Sequence, residues 1–348
     1  MMNMRTAAAL ILSGALMLSF SACSKEMVPS ASDSSTASSV VETTSSTTAA
    51  SETSVSQIEV KPVSSEKLAE IAAVDYADYA LSEDDDLKTM EKKIETKYGI
   101  DIIYGEDIRT EFGDETEQLS VAKFTDEELI RKAMKSIDEV ISIYPKTFLC
   151  QLALSEDSPL KIYMTGHIKS ITYPDASINA FTSDTDSEGE VYLVIDVAGA
   201  EGVFNPVDVM HEIVHLTDFK LKKEGLLKTE DWAKLNPDGF TYLEKIDERS
   251  EDKYNFGQAE YCPLKKGTSP SDVYFIAPYS QTNEYEDRAT LLTDALVFAL
   301  YGYEVEPDVY KCHNLQVKME YWMGQVREGF DTSYWEKIPW EDSYSKLK

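Results

Sequence analysis

The chain has 348 residues, of which 63 are acidic and 33 basic, giving a formal net charge of −30 at pH 7. This length is enough for one large folded domain with a substantial hydrophobic core. So strong a negative charge repels the phosphate backbone, which excludes nucleic acid as a partner.

The first 23 residues have the pattern of a secretion signal. Arg5 provides a positive start, and residues 7–20 form an apolar run that is too short for a comfortable membrane span. The run ends in Phe-Ser-Ala-Cys23, which resembles the lipobox of bacterial lipoproteins. That resemblance implies a lipid at Cys23, which would hold the protein on the outer face of the cytoplasmic membrane. The alternative is cleavage near Ala22 and release of a secreted protein with a free Cys23.

Residues 24–63 form a predicted tether. Between Ala31 and Ser56, 16 of 26 residues are Ser or Thr, and such a segment cannot bury enough apolar surface to fold. As a flexible coil the tether would reach on the order of 35 Å. We therefore expect it to hold a folded domain, residues 64–348, away from a membrane surface.

The domain is predicted to begin with helices and then continue with strands. Apolar spacing indicates a helix around residues 68–71 and another that starts near Leu87 and ends at Gly99. A capping box that starts at Thr125 opens a long helix, which stops before Pro145. The predicted strands are 100–104, 160–170, 176–182 and 191–196. This order predicts an α+β fold with a small mixed sheet, followed by a helical C-terminal part.

Residues 207–218 contain two of the four histidines, in the order His-Glu-Ile-Val-His. Asn205 and Pro206 suit the start of a helix, on which His211 and His215 lie one turn apart on the same face. This HExxH spacing is typical of zinc sites, in which the histidines bind the metal and the adjacent Glu212 is the general base. We expect one Zn²⁺ per chain. The alternative is a pair of helix histidines that bond to neighbouring side chains.

Zinc needs a third protein ligand, and more than one residue could provide it. The metzincin pattern is excluded, because Asp218 and Leu221 occupy the positions of its Gly and His. Residues 283–290, Asn-Glu-Tyr-Glu-Asp-Arg-Ala-Thr, begin another predicted helix and resemble the ligand helix of gluzincin peptidases. This resemblance implies Glu286 as the third ligand, with Glu284 and Asp218 as alternatives.

The same resemblance raises the question of what orients the ligands. Thr290 stands where gluzincins often have an acidic residue, so Asp287 becomes the candidate to orient a ligand histidine.

Two further segments, 232–242 and 274–280, lie between the two helices that are predicted to carry the ligands. With the motifs above, they resemble a group of zinc-binding metallopeptidase lipoproteins of Gram-positive bacteria, over roughly residues 91–298. The resemblance implies a zincin-like fold and a zinc-dependent peptidase that cuts peptides or proteins outside the cell. It also makes Tyr242 and Tyr279 candidates to stabilise the oxyanion, although either could be ordinary packing in a chain with 20 tyrosines.

Two subsidiary expectations concern the substrate and the cysteines. The strand at 191–196 is expected to offer an edge with which an extended peptide can pair. Without Cys23 the chain has three cysteines, Cys150, Cys262 and Cys312, and a Cys262–Cys312 disulfide is possible.

The rival function, of a different class, is a surface lipoprotein that binds a partner and contains zinc without hydrolysing anything.

Overall fold

The computed structural model describes residues 62–113, 118–153, 155–171, 177–183, 190–199, 204–242, 260–262, 268–301 and 312–346. The predicted secretion signal, Cys23 and nearly all of the predicted tether lie outside these ranges. Within these ranges, no helix combines the length and apolar character needed to cross a membrane.

The described ranges contain eight α-helices and eight strands. The helices are α1 (Ser65–Ala72), α2 (Leu87–Tyr98), α3 (Glu127–Ile141), α4 (Pro206–Lys223), α5 (Thr229–Ala233), α6 (Glu284–Tyr301), α7 (His313–Gly329) and α8 (Glu341–Lys346). The strands are β1 (Asp101–Tyr104), β2 (Glu111–Gly113), β3 (Gln118–Val121), β4 (Lys161–Thr165), β5 (Ile168–Ser170), β6 (Ser177–Ile178), β7 (Ala180–Ser183) and β8 (Tyr192–Asp196). The α+β class predicted from the order of elements is confirmed.

Local chemistry explains where the N-terminal helices begin and end. Helix α2 ends at Gly99 in the left-handed region (φ 65°), where a β-carbon would lie 2.5 Å from Ile71 Cδ1. Helix α3 starts one residue later than the capping box predicts. Its N-cap is Asp126 and not Thr125, because the Asp126 carboxylate accepts two backbone N–H groups of the first turn.

The strands form two four-stranded sheets. Sheet A has the order β1-β4-β8-β7, with β1, β4 and β8 parallel and β7 antiparallel to β8. Sheet B has the order β2-β3-β5-β6 and is antiparallel throughout. The sequence did not predict β2 and β3, so sheet B as a unit was missed.

Two predicted strands are each divided between the sheets. The segment 160–170 breaks at Gly166 and His167, so that β4 joins sheet A and β5 joins sheet B. Gly166 donates its N–H to the carbonyl of Ala122 at 2.7 Å, and a β-carbon there would lie 3.2 Å from Ala122 Cβ. Glycine therefore suits this close approach of two backbones. The segment 176–182 breaks in the same way at Asn179, between β6 and β7.

Sheet A is the middle layer of three. One of its faces, which includes Ile162 and Leu193, packs with the helices in the main hydrophobic core. The opposite face, which includes Tyr163 and Tyr192, packs against sheet B. Strand β8 is thus buried on both faces, which explains why its sequence is a nearly continuous apolar run.

The prediction that strand 191–196 offers a free edge is wrong. Strand β8 lies inside sheet A, paired along its length with β4 on one side and β7 on the other. The apolar run indicated a buried strand but not its place in the strand order. Within the described residues, β7 is an edge of sheet A, and helix α4 contacts β7 and β8.

Candidate metal centre

Helix α4 carries the HExxH residues into the protein interior. Its N-cap is Asn205, whose side chain accepts the N–H of Val207 at 3.2 Å, and Pro206 is the first helical residue. The three motif residues, His211, Glu212 and His215, are all buried. Burying two histidines and a glutamate is costly unless they have partners, so the surroundings of these side chains decide their role.

Helix α6 places Glu286 opposite the histidines. Asn283 starts this helix, because its side-chain oxygen accepts the N–H groups of Tyr285 and Glu286 at 3.0 and 2.9 Å. Glu286 therefore lies in the first turn, where the helix dipole favours a carboxylate. Its side chain is 1% exposed.

The ligand atoms converge on one point. His211 Nε2 lies 3.1 Å from His215 Nε2 and 3.1 Å from Glu286 Oε2, and His215 Nε2 lies 3.7 Å from the same oxygen. The described residues contain no other group of three or more His, Cys, Asp or Glu with this metal-binding geometry. The structure thus brings together the three residues predicted as ligands, in a buried group that could hold a metal ion.

The electrostatics of Glu286 suit a cation. Burial alone would raise the pKa of Glu286, but the interactions with His211 and His215 outweigh it and hold that pKa well below its ordinary range. Glu286 Oε1 is buried and has no hydrogen-bond partner among the described residues. A carboxylate oxygen buried in this way is costly, and coordination of a cation would remove that cost.

The two alternative third ligands, Asp218 and Glu284, are each paired with a basic residue outside the metal-binding group. Asp218 accepts Arg288 Nε through both carboxylate oxygens, at 2.7 and 2.8 Å, and both side chains are fully buried. Glu284 pairs with Lys222 at 3.7 Å and accepts the hydroxyl of Thr229 at 3.2 Å. Neither residue belongs to the metal-binding group.

Asp287 does not orient a histidine. Its Oδ2 accepts Trp232 Nε1 at 2.9 Å, the Tyr242 hydroxyl at 2.8 Å and Lys318 Nζ at 2.7 Å. Three donors from two separate segments therefore converge on the residue next to Glu286, because Trp232 and Tyr242 belong to one segment and Lys318 lies on α7. The segment 232–242, which carried part of the family resemblance, is one of these segments.

The two predicted tyrosines have different surroundings. The Tyr242 hydroxyl donates to Asp287 and accepts Asn236 Nδ2 at 2.8 Å. Burial, and then the charge of Asp287, raise the pKa of Tyr242 far above its ordinary value, so this hydroxyl stays protonated. The ring of Tyr279 lies beside the site, with its centroid 6.5 Å from that of His211. Tyr279 therefore lies beside a candidate metal ligand, whereas the Tyr242 hydroxyl is bonded to Asp287.

Lys318 is the member of this region that sequence reasoning missed. It lies fully buried on α7, between residues of the apolar stripe such as Leu315, Met319 and Trp322. The available signal in the sequence was a lysine at a position of the apolar stripe of α7. A lysine buried there needs an acidic partner, which would have pointed to a nearby carboxylate.

The two remaining histidines, His167 and His313, and the three described cysteines do not belong to the metal-binding group. His167 is exposed, and its Nδ1 lies 3.0 Å from Asp196 Oδ2. Cys150, Cys262 and Cys312 are buried and none of them is disulfide-bonded, so the structure does not form the possible Cys262–Cys312 disulfide.

The fold and the site together define an α+β protein with a buried two-histidine, one-glutamate group able to hold a metal ion. No family model and no curated protein matches the chain. Among solved structures it is similar to a putative zinc-binding metallo-peptidase from Bacteroides caccae, at 14% identity over 77% of this chain and 94% of that one, with a TM-score of 0.39. Such a score does not establish a common fold, so the case for a metal centre comes from the residues themselves.

Proposed function

We propose that this protein is a zinc-dependent peptidase with a zincin-like site. His211, His215 and Glu286 would hold the metal, and Glu212 would be the general base. The observation that carries the proposal is the convergence of two imidazole nitrogens and one carboxylate oxygen in a buried group, with the buried Glu212 next to His211 in the sequence.

The residues fit zinc on the grounds of spacing and donor chemistry. Tetrahedral zinc ligands at ordinary bond lengths stand roughly 3.3–3.5 Å apart. The distances of 3.1, 3.1 and 3.7 Å between the three ligand atoms are close to that value. Two imidazoles with one carboxylate are a ligand set that catalytic zinc sites use, and three protein ligands leave a fourth position open.

The proposed chemistry divides between the metal and Glu212. A zinc ion held there would act as a Lewis acid, which lowers the pKa of water from about 15.7 to about 7. Glu212 would accept the proton that water loses and then deliver it to the leaving amine. Its neighbour His211 is a ligand, so a single turn of α4 would hold the base next to the reacting groups. A purely structural zinc site would not need this carboxylate.

Strand β7 is the proposed docking place for an extended peptide. It is an edge of sheet A within the described residues, and it lies against α4. A peptide added there would pair through its backbone, so affinity would depend little on its sequence.

We propose further that the hydrolysis takes place outside the cell, with the protein tethered to the membrane through a lipid at Cys23.

Removal and return of the metal tests the proposal. When a chelator removes the metal, activity on casein or a peptide library should fall at least about 100-fold, because a metal of this kind stabilises the transition state by several kcal/mol. Zinc should restore the activity and Mg²⁺ should not. Zinc bound at one per chain, without cleavage of any substrate in the library, would favour the rival binding function.

Replacement of Tyr242 by Phe separates packing from catalysis. The change removes a hydrogen bond to an ionised carboxylate, so we expect the free energy of unfolding to fall by about 1.5–3 kcal/mol. We expect kcat to change by less than the roughly 10²–10³-fold that an oxyanion donor is worth. Denaturant unfolding and steady-state kinetics measure the two effects, and Tyr279→Phe is the comparison. A 10²-fold loss of kcat at unchanged stability would make Tyr242 the oxyanion group after all.

A further inference from the structure

Four residues on α4 form a continuous line of contact with the start of α6. His211, His215, Asp218 and Lys222 follow the spacing that puts side chains on one helix face. We call these four residues the polar seam. Every one of them contacts a residue in the first two turns of α6.

The contacts run along the whole seam. His211 and His215 meet Glu286, Asp218 pairs with Arg288, and Lys222 lies near Glu284 and bonds the Tyr285 hydroxyl. At this face the two helices therefore meet through charged and polar groups, where packed helices ordinarily present apolar side chains.

The Asp218–Arg288 pair is the most buried ion pair of the seam outside the ligands. Both side chains are fully buried, and both oxygens of Asp218 accept Arg288 Nε. The guanidinium carbon also lies 5.2 Å from the Trp232 ring centroid and 5.3 Å from that of Tyr285. The guanidinium is thus bonded to Asp218 through Nε and flanked by two aromatic rings.

Energetics argue that such a pair does not serve stability. Taking both charges out of water costs about as much as their attraction returns, and well-packed apolar residues often replace a buried ion pair without loss of stability. What a directional buried pair can supply is register, as polar residues do between helices of coiled coils. Here the register between α4 and α6 decides the distance from the two histidines to Glu286.

We propose that Asp218 and Arg288 are positioning residues that set the register of the two ligand helices and thereby the affinity for metal. Asp218 lies three residues after His215, and Arg288 lies two residues after Glu286. A shift of either helix at this point moves a ligand atom. The proposal rests on the proposed zinc site but does not depend on hydrolysis.

The test compares zinc affinity with stability in a double variant. Asp218→Leu combined with Arg288→Met replaces the pair by apolar groups. We expect the metal-free variant to melt at or above the wild-type temperature, while zinc affinity falls 10–100-fold, the usual effect of losing groups that orient ligands. Competition with a chromophoric chelator gives the affinity, and the absorption spectrum of the Co²⁺ form reports the coordination geometry.

A largely buried pair elsewhere in the fold, with side chains 4% and 17% exposed, provides the control. Lys97 on α2 and Asp138 on α3 form an ion pair between helices that carry no ligand. Lys97→Met with Asp138→Leu should leave zinc affinity and the Co²⁺ spectrum unchanged.

Arg288→Lys covers the case in which the double variant does not fold. It keeps the charge but not the guanidinium geometry, so we expect about a tenfold loss of zinc affinity. Wild-type affinity in Arg288→Lys, or in a folded double variant, would overturn the positioning role alone. A wild-type protein that binds no zinc would instead refute the proposed function.

Discussion

The Glu212→Gln variant is expected to hold zinc at one per chain and to have lost hydrolysis. Glutamine matches glutamate in size and can still donate and accept hydrogen bonds, so the buried position on α4 stays filled. What it cannot do is accept a proton from water. General acid–base groups contribute about 10²–10⁴-fold, and Glu212 would act in both proton transfers. We therefore expect a fall in kcat towards the upper end of that range, with KM little changed.

Metal analysis and steady-state kinetics on the same preparation check this result. Glu224→Gln is the control, because Glu224 lies at the C-terminal end of the same helix and, among the side chains that the structure describes, bonds only Lys220. It should retain both zinc and activity. Activity of Glu212→Gln within a few-fold of the wild type, with zinc in place, would exclude Glu212 as the base and remove the main argument for hydrolysis.

The half of the site on α4 could be predicted because its information is local. His211, Glu212 and His215 lie within five residues, and the Asn205 and Pro206 start signal fixes the helix that sets their geometry. Helical periodicity alone then places both imidazoles on one face. Glu286 lies 75 residues from His211, and no periodicity relates the two segments. Its prediction depended on a resemblance between sequence segments.

The hydrogen-bond partners of Asp287 could not be predicted, because they come from distant parts of the chain. Asp287 was expected to face a histidine, yet its partners are Trp232, Tyr242 and Lys318. Which of several acids in the first turn of α6 faces α4 depends on the rotation of that helix about its axis. Rotation is decided by tertiary packing, which the acidic first turn itself does not encode.

The sheets show the same limit. The apolar run of β8 indicated a strand buried on both faces, but an interior strand and an edge strand of a covered sheet have the same pattern. The division of 160–170 at Gly166 likewise depends on the approach of Ala122, a contact between segments far apart in the sequence.

Glu286→Ala is expected to lower zinc affinity by more than the roughly 100-fold that loss of a ligand-orienting group can cost, because it removes a ligand itself. Two imidazoles on one helix turn would remain, and they can hold zinc only weakly. Activity should fall to background at zinc concentrations that saturate the wild type, and a large excess of zinc should restore only part of it. Glu284→Ala is the comparison, since Glu284 was the competing candidate for the third ligand but forms an ion pair with Lys222 in the structure.

Zinc titration of the two variants distinguishes the ligands directly. If Glu284→Ala lost zinc while Glu286→Ala kept it, the third ligand would be Glu284, and helix α6 would have to rotate from its position in the structure. The convergence of Glu286 with His211 and His215, while Glu284 lies near Lys222, argues for the opposite outcome. Because the pKa of Glu286 is held low, zinc binding near neutral pH should release no proton from Glu286, and any net release that calorimetry detects in buffers of different ionisation enthalpy would come from the other groups at the site.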